Sequence, residues 1–211
     1  MRLNPPKQTR SQHTLDRFVH AAVRLLDERS WSSVTIADLA AAADASVGAF
    51  YARFQDKQAL LDYLDERYAE ELVRLLRQHM ADASNRGPSL DEWVRRLMRK
   101  LVGFFRRYRG VVRTLVMEAR AGSSKHFSAR TERMNAELPA LVENLFACLE
   151  PGFTTRAELR QAMAFTFSAM RDQILFPESI PAWERAGDAA LVRAMTRNFL
   201  GYLSYRGERR W

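Results

Sequence analysis

The sequence has little of what disulfide-bonded, metal-binding and catalytic proteins need. Its 211 residues include one cysteine, Cys148, which excludes an internal disulfide and fits a reducing cytoplasm. Of its four histidines, His13 and His20 share a helix face but stand about 10 Å apart along the helix axis, too far for one metal ion. There is no glycine-rich phosphate loop and no nucleophile elbow. We therefore expect a protein that is not an enzyme and that has no metal site and no cofactor.

Long apolar runs are also missing. No segment has the roughly 18 uninterrupted apolar residues of a membrane-spanning helix, and the first ten residues do not resemble a signal peptide. The expected location is the cytoplasm, without a membrane partner.

The charge is strongly positive but unevenly placed. The formal net charge is +8, from 33 basic and 25 acidic residues. Residues 1–68 hold nine basic and nine acidic side chains, so the whole excess lies in residues 69–211. A solvated arginine-rich surface and a nucleic-acid partner both explain this charge, and an argument for DNA must rest on a motif.

Strand-like alternation is absent, whereas apolar residues recur with helical period along nearly the whole chain. The fold class expected is all-α. A three-helix helix-turn-helix domain at residues 1–55 would be joined by a continuous helix to a helical ligand-binding and dimerisation bundle at residues 56–211. The predicted helices are 11–29, 35–43, 46–54, 56–82, 90–107, 111–121, 128–149, 155–175 and 188–204.

The segment Thr35–Lys57 predicts two short helices separated by a tight turn. Thr35 and Ser46 are good N-cap residues for them. Phe50 and Phe54 are four residues apart and would pack inward together. Such a pair of helices fits a helix-turn-helix motif whose second helix enters the major groove of DNA.

Eight residues of this segment are candidate DNA contacts. Val47 and Ala49 can contact only a thymine methyl, while Arg53 is the one strong candidate for hydrogen bonding to a base. Gly48 would allow close approach of the backbone, at a cost of about 1 kcal/mol against alanine. The others would contact phosphates or position the helices, and the full set is Thr35, Ser46, Val47, Gly48, Ala49, Tyr51, Arg53 and Lys57.

The same stretch resembles the tetracycline-repressor (TetR/AcrR) family over roughly residues 11–64. The resemblance is carried by an ungapped set of residues: Thr35, Asp38, Leu39, Ala40, Ala43, Ser46, Gly48, Phe50, Tyr51, Phe54, Lys57 and Leu60. It implies a homodimeric transcription factor that binds double-stranded operator DNA, usually a repressor released by a small-molecule effector. The sequence departs from the family pattern at four positions. Ser30 and Asp44 stand where the family usually has glycine, and Ala45 and Arg53 replace other residues of the pattern.

The N-terminal arm is a second candidate for DNA contact. Arg2, Lys7 and Arg10 flank a proline pair and could enter a minor groove. A tail without a role in binding explains the same residues.

The predicted helices 155–175 and 188–204 are candidates for the dimer interface. In helix 155–175, a large apolar face opposes a face of small residues, Ala162, Thr166 and Ala169. A helix buried on both faces fits a subunit interface, and also fits a core within one chain. By the resemblance, these last two helices form the interface of the homodimer.

The effector pocket is expected inside the helical bundle. Aromatic and methionine side chains together with one carboxylate form the candidate lining, although such residues also fit plain core: Phe104, Tyr108, Met117, Glu118 and Phe165. The dense basic run Arg95–Arg113 has three interpretations, namely a solvated face, a site for an anionic effector, or additional phosphate contacts. A helical ligand-binding or adaptor protein without operator-specific DNA binding is the alternative function.

Overall fold

The computed structural model describes residues 7–81, 89–121, 136, 139–147, 149, 152–181 and 187–204. These residues contain helices and no strand, which confirms the all-α prediction. In this described part, no helix is both long enough and apolar enough to cross a membrane. The helices are α1 (Lys7–Glu28), a 3-10 turn (Trp31–Ser33), α2 (Ile36–Ala42), α3 (Val47–Tyr51), α4 (Lys57–Ala81), α5 (Leu90–Arg107), α6 (Arg109–Arg120), α7 (139–146), α8 (Arg156–Leu175), a second 3-10 turn (Pro177–Ser179) and α9 (Asp188–Ser204).

Several helix boundaries differ from the predicted ones; α3, for example, ends at Tyr51 and not at residue 54. α1 begins at Lys7, about one turn before the predicted start at residue 11, so Lys7 and Arg10 of the predicted arm are helical. Arg2 lies outside the described residues. The break after α5 falls at Tyr108, and Gly110 lies inside α6. A packing contact described below requires glycine at this position.

The chain divides into two compact units. The first contains Met1–Tyr68 and Tyr108–Arg130, and the second contains Ala69–Arg107 and Thr131–Trp211. The first unit therefore includes α6 in addition to the predicted helix-turn-helix. The assignment of residues 1–55 to DNA binding and of residues 56–211 to effector binding and dimerisation stays a prediction.

Aromatic side chains form the centre of the first unit. Phe18 of α1 meets the rings of Phe50 and Phe54 edge-on, with ring centroids 5.4 and 6.4 Å away. Phe54 in turn contacts Tyr63 of α4, at 6.0 Å. Edge-to-face pairs at these distances stabilise a core beyond simple burial. The inward prediction for Phe50 and Phe54 is confirmed, and both are buried.

α6 packs closely against the end of α1. A Cβ at Gly110 would overlap the backbone of Leu26, so only glycine fits. The Gly110 amide donates to the carboxylate of Asp27 at 2.9 Å, and the Arg109 guanidinium lies 3.7 Å from the same oxygen. This contact holds the start of α6 against the end of α1.

The second unit contains α5, α8 and α9 packed against one another. α8 begins with a capping box in which Thr155 accepts from the Glu158 amide and Glu158 accepts from the Thr155 amide. Its large apolar face is buried as expected, but Ala162 and Thr166 are also buried, in contrast to the predicted small interface face. The side of α8 that is left exposed lies about one residue away from the predicted small face. It consists of Ala157, Gln161, Ala164, Phe165, Ser168 and Ala169.

Candidate nucleic-acid interface

The first short helix of the motif, α2, is held by a reciprocal cap. The Thr35 hydroxyl accepts from the Asp38 amide at 3.1 Å, and the Asp38 carboxylate accepts from the Thr35 amide at 2.8 Å. Arg29 places its guanidinium 3.2 Å from the same carboxylate. Hydrogen bonds from the Thr35 backbone and side chain, followed by that from Arg29, lower the pKa of Asp38 to about 2. Thr35 therefore positions α2, whatever it contacts outside the protein.

The turn between the two helices has a left-handed residue at its centre. Asp44 has φ of 48°, and the Ala45 amide donates to the Ala40 carbonyl at 2.9 Å, while the Asp44 amide donates to the Ala41 carbonyl at 3.1 Å. These two bonds form a Schellman motif, which usually has glycine at the left-handed position. Aspartate is one of the few other residues that visit this conformation routinely.

Two arginines of α1 hold this turn from the same helix face. Arg24 donates to the Ala42 carbonyl at 3.0 Å, which satisfies the end of α2. Arg17, two turns earlier, lies 3.5 Å from the fully exposed Asp44 carboxylate. Neither role was predicted from the sequence. The only sequence signal is their spacing of seven residues, which places both on one face of α1.

The second helix of the motif, α3, presents an apolar outer face. The Ser46 hydroxyl caps it by accepting from the Ala49 amide at 3.0 Å. Phe50 is fully buried, which orients the helix, whereas Val47 is 42% exposed and Tyr51 is 55% exposed. Gly48 is exposed beside them, and the atom nearest to an added Cβ would be the Ser46 hydroxyl oxygen, 3.8 Å away. Space inside the protein therefore does not require glycine at this position.

Arg53, the predicted base-reading residue, is turned back onto its own helix. Its guanidinium donates to the Ala49 carbonyl at 3.1 Å and is half-buried. The bond satisfies a carbonyl at the end of α3. A contact between Arg53 and DNA stays a prediction, and it requires this bond to open.

Lys57, the predicted phosphate contact, is also directed inward. Its ammonium donates to the carbonyls of Trp31 and Val34 at 2.7 and 2.8 Å and lies 4.5 Å from the centroid of the Trp31 ring. Burial lowers the pKa of Lys57, and the nearby negative charge of Glu118 partly opposes this shift. A phosphate contact by Lys57 stays a prediction that would require these two hydrogen bonds to open.

The predicted effector-binding residues do not gather at one described cavity. Phe104 is buried in the second unit, while Tyr108 is buried in the first, with its ring 6.1 Å from that of Tyr68. Met117 is exposed, and Glu118 acts electrostatically on Lys57. Their assignment to a pocket stays a prediction.

Phe165, the fifth of these residues, is 52% exposed on α8, which differs from its expected place inside the bundle. Its ring meets that of Tyr202 on α9 at a centroid distance of 5.8 Å, and Tyr202 is itself 39% exposed. The two rings form an apolar patch on the uncovered side of α8 and α9. A groove of about 600 Å³ next to it is lined by Glu158, Arg197, Asn198, Gly201 and Tyr202.

Much of the basic run Arg95–Arg113 is paired with carboxylates. Arg95 and Arg96 pair with residues of the first turn of α5, and Arg106 lies 2.8 Å from Asp188. Among the described residues, ion pairs are formed by Arg95, Arg96, Arg106, Arg107 and Arg109 of this run. These pairs favour a solvated, ion-paired face over the two ligand-binding interpretations.

Comparison with known proteins agrees with the motif. Residues 18–64 match the family described as bacterial regulatory proteins, tetR family. A curated relative from Bacillus subtilis (strain 168), the uncharacterized HTH-type transcriptional regulator YwcC, is 38% identical over 60 residues, which are 28% of this chain and 27% of that protein. The chain thus spans about a quarter of the length of the curated relative it matches.

Solved structures match nearly the whole chain at low identity. A TetR-family transcriptional regulator from Bordetella parapertussis 12822 has a TM-score of 0.65 at 15% identity, covering 92% of this chain and 98% of its own. A putative TetR-family transcriptional regulator from Mesorhizobium loti has a TM-score of 0.64 at 13% identity, covering 95% and 98%. The fatty acid degradation regulator FadR from Bacillus halodurans has a TM-score of 0.64 at 19% identity, covering 88% and 97%. At these identities the likeness concerns the fold alone.

Proposed function

Because the chain is a regulator of the tetR family, we propose that it is a homodimeric repressor that binds double-stranded operator DNA and releases it when a small hydrophobic or anionic molecule binds. The observation that carries the proposal is the orientation of α3. Phe50 anchors the helix in the aromatic core, while Val47 and Tyr51 of the same helix are left exposed. A recognition helix needs this arrangement of a fixed inner face and an open outer face.

The proposed DNA surface combines the outer face of α3 with the ends of the neighbouring helices. Gly48 and Ala49 bring the α3 backbone close to the groove, and the hydroxyls of Thr35, Ser46 and Tyr51 lie at its edges as phosphate contacts. Arg53 and Lys57 contribute mainly by holding the motif together. This division of roles gives a surface in which few side chains carry positive charge.

The homodimer is proposed to form through α8 and α9. Their uncovered side carries the Phe165–Tyr202 pair and also exposes small residues that allow close approach of a second copy: Ala157, Ala164, Ser168, Ala169, Ala194 and Gly201. Exposed aromatic rings are typical of an interface core. In a DNA-bound dimer, the two α3 helices would lie about 34–36 Å apart, or a multiple of that spacing.

The effector is proposed to bind among the helices of the second unit. His79 of α4 is fully buried there, with its ring 4.4 Å from that of Trp93 of α5. The interior of this unit is mainly apolar, as the binding site of a hydrophobic effector requires. Thermal shift with acyl and aromatic acids tests this, because a ligand of the native state raises the unfolding temperature.

The experiment that tests the DNA-binding proposal is selection from a random duplex library with the full chain. Binding of the selected duplex is then measured by fluorescence anisotropy over a range of salt concentrations. The proposal expects a palindromic site and much tighter binding than to a scrambled duplex, with affinity that falls as the salt concentration rises. Equal affinity for selected and scrambled duplexes would count against it.

The alternative is a helical ligand-binding or adaptor protein without operator-specific binding. It is favoured by the net charge of zero over residues 1–68 and by the exposed carboxylate of Asp44 at the turn of the motif. It expects thermal stabilisation by a small molecule together with no sequence selected from the library. The two functions are thus separated by the same pair of measurements.

A further inference from the structure

We propose that α3 selects its operator by contact of Val47 with the C5-methyl group of a thymine in each half-site, rather than by hydrogen bonds to base edges. The inference rests on the proposed function, since it assumes that the outer face of α3 enters the major groove. It names the chemical feature of the DNA that this surface recognises.

The first step concerns the contacts of the two cationic side chains of the motif, Arg53 and Lys57. The guanidinium of Arg53 bonds to the Ala49 carbonyl, and the ammonium of Lys57 bonds to two carbonyls of the preceding turn. Both groups are occupied in holding the motif together. Bidentate recognition of guanine, the commonest specific contact in the major groove, requires an arginine or lysine directed outward.

The second step is what the outer face offers in their place. Val47 is the first residue of α3, and Tyr51 lies one turn further on the same face. In recognition helices, base edges are met mainly by residues of the first turn. Val47 thus stands at the base-reading position, with two methyl groups on a side chain whose first torsion has few allowed states.

The third step is which base this side chain can distinguish. In the major groove, thymine is the base that carries an exposed methyl group, and apolar side chains recognise it by contact. The position of Val47 is also fixed by the packing of Phe50 in the same helix. The Phe50 ring centroid lies 5.4 Å from that of Phe18 and 5.3 Å from that of Phe54. A rigid valine at the start of the helix is complementary to a methyl group and offers no hydrogen bond to any base.

The test changes the DNA, so the fold of the protein is not disturbed. In the operator obtained by selection, each thymine is replaced in turn by uracil, which lacks the methyl group and keeps the hydrogen-bonding edge. We expect one thymine in each half-site at which uracil weakens binding about fourfold, the change that corresponds to burial of one methyl-sized group. At the same position, a C·G pair should bind about fourfold more tightly when its cytosine is 5-methylated.

The Val47→Ala variant supplies the matched control on the protein side. Its affinities for the thymine and uracil operators should be equal within error, because the contact is already lost. The inference is overturned if the chain selects an operator but no uracil substitution weakens binding by more than twofold, or if the uracil effect persists in Val47→Ala. If no sequence is selected at all, the proposed function fails and this inference fails with it.

Discussion

The ammonium of Lys57 donates a 2.7 Å hydrogen bond to the carbonyl of Trp31, 26 residues earlier in the chain, and lies over the indole ring of the same residue. A second bond, to the Val34 carbonyl, completes the attachment. The start of α4 is thereby joined to the segment that precedes α2. A lysine that the sequence suggests as a DNA contact therefore acts in this structure as a brace within the helix-turn-helix.

Replacement of Lys57 by methionine should lower the free energy of unfolding by about 2 kcal/mol, since two carbonyls lose a charged donor. The measurement is chemical denaturation, with Gln58→Met as the control, because Gln58 is exposed and its change should stay within about 0.5 kcal/mol. The salt dependence of operator binding should keep its slope. A slope reduced by about one unit would instead show that Lys57 contacts a phosphate.

Gly48→Ala should make the protein more stable and its DNA binding weaker. Alanine removes the helix cost of glycine, about 0.5–1 kcal/mol, and its Cβ meets no atom inside the protein closer than 3.8 Å. The added methyl would, however, keep α3 away from the groove. Gly103→Ala is the matched control, because Gly103 lies within α5 with no atom near the added Cβ, and it should gain stability without any change in DNA affinity.

Asp44→Gly should stabilise the turn by about 0.5–1 kcal/mol, because glycine adopts φ of 48° without strain. It should also raise operator affinity, since the exposed carboxylate repels phosphates. The cost of losing the pair with Arg17 is small for two exposed groups. Asp44→Asn separates the two effects, as it removes the charge but keeps a side chain at the left-handed position; a gain in affinity with glycine alone would assign the effect to geometry.

The Asp38 capping box should give the protein a pH-dependent stability in acid. Its pKa in the folded state is about 2, below the ordinary value of 3.8, so the folded state favours the charged form. The stabilisation is complete above about pH 4 and is lost as the pH falls through 2. Denaturation curves of wild type and Asp38→Asn should therefore differ most at neutral pH and converge towards pH 2; a constant difference would contradict the assignment.

The sequence predicts the local part of this site well. Thr35 and Ser46 are the N-caps, Phe50 and Phe54 point inward, and Asp44 takes the left-handed turn position, because each of these roles depends on neighbours a few residues away. Local rules of capping, helical spacing and turn conformation are enough to infer them.

Residues whose partners lie far away in the chain are less predictable. Nothing near Lys57 in sequence indicates that the carbonyls of Trp31 and Val34 will lie beside it. From the sequence, Gly110 is expected to separate two helices. In the structure it lies within α6, and glycine is required because α6 packs on the backbone of Leu26, more than 80 residues earlier. Likewise, Ala162 and Thr166 are buried because of how α8 packs in its unit, which helical periodicity alone does not determine to within one position.

The central claim, that the outer face of α3 is the surface that meets DNA, is tested most directly by Val47→Glu. Val47 is exposed at 42%, so the variant should unfold at nearly the temperature of the wild type. Ala189→Glu, in the exposed first turn of α9, adds the same charge away from the motif. In anisotropy titrations of the selected operator, the account predicts at least a hundredfold loss of affinity for Val47→Glu and less than a twofold change for Ala189→Glu. Wild-type affinity in a folded Val47→Glu protein would contradict it.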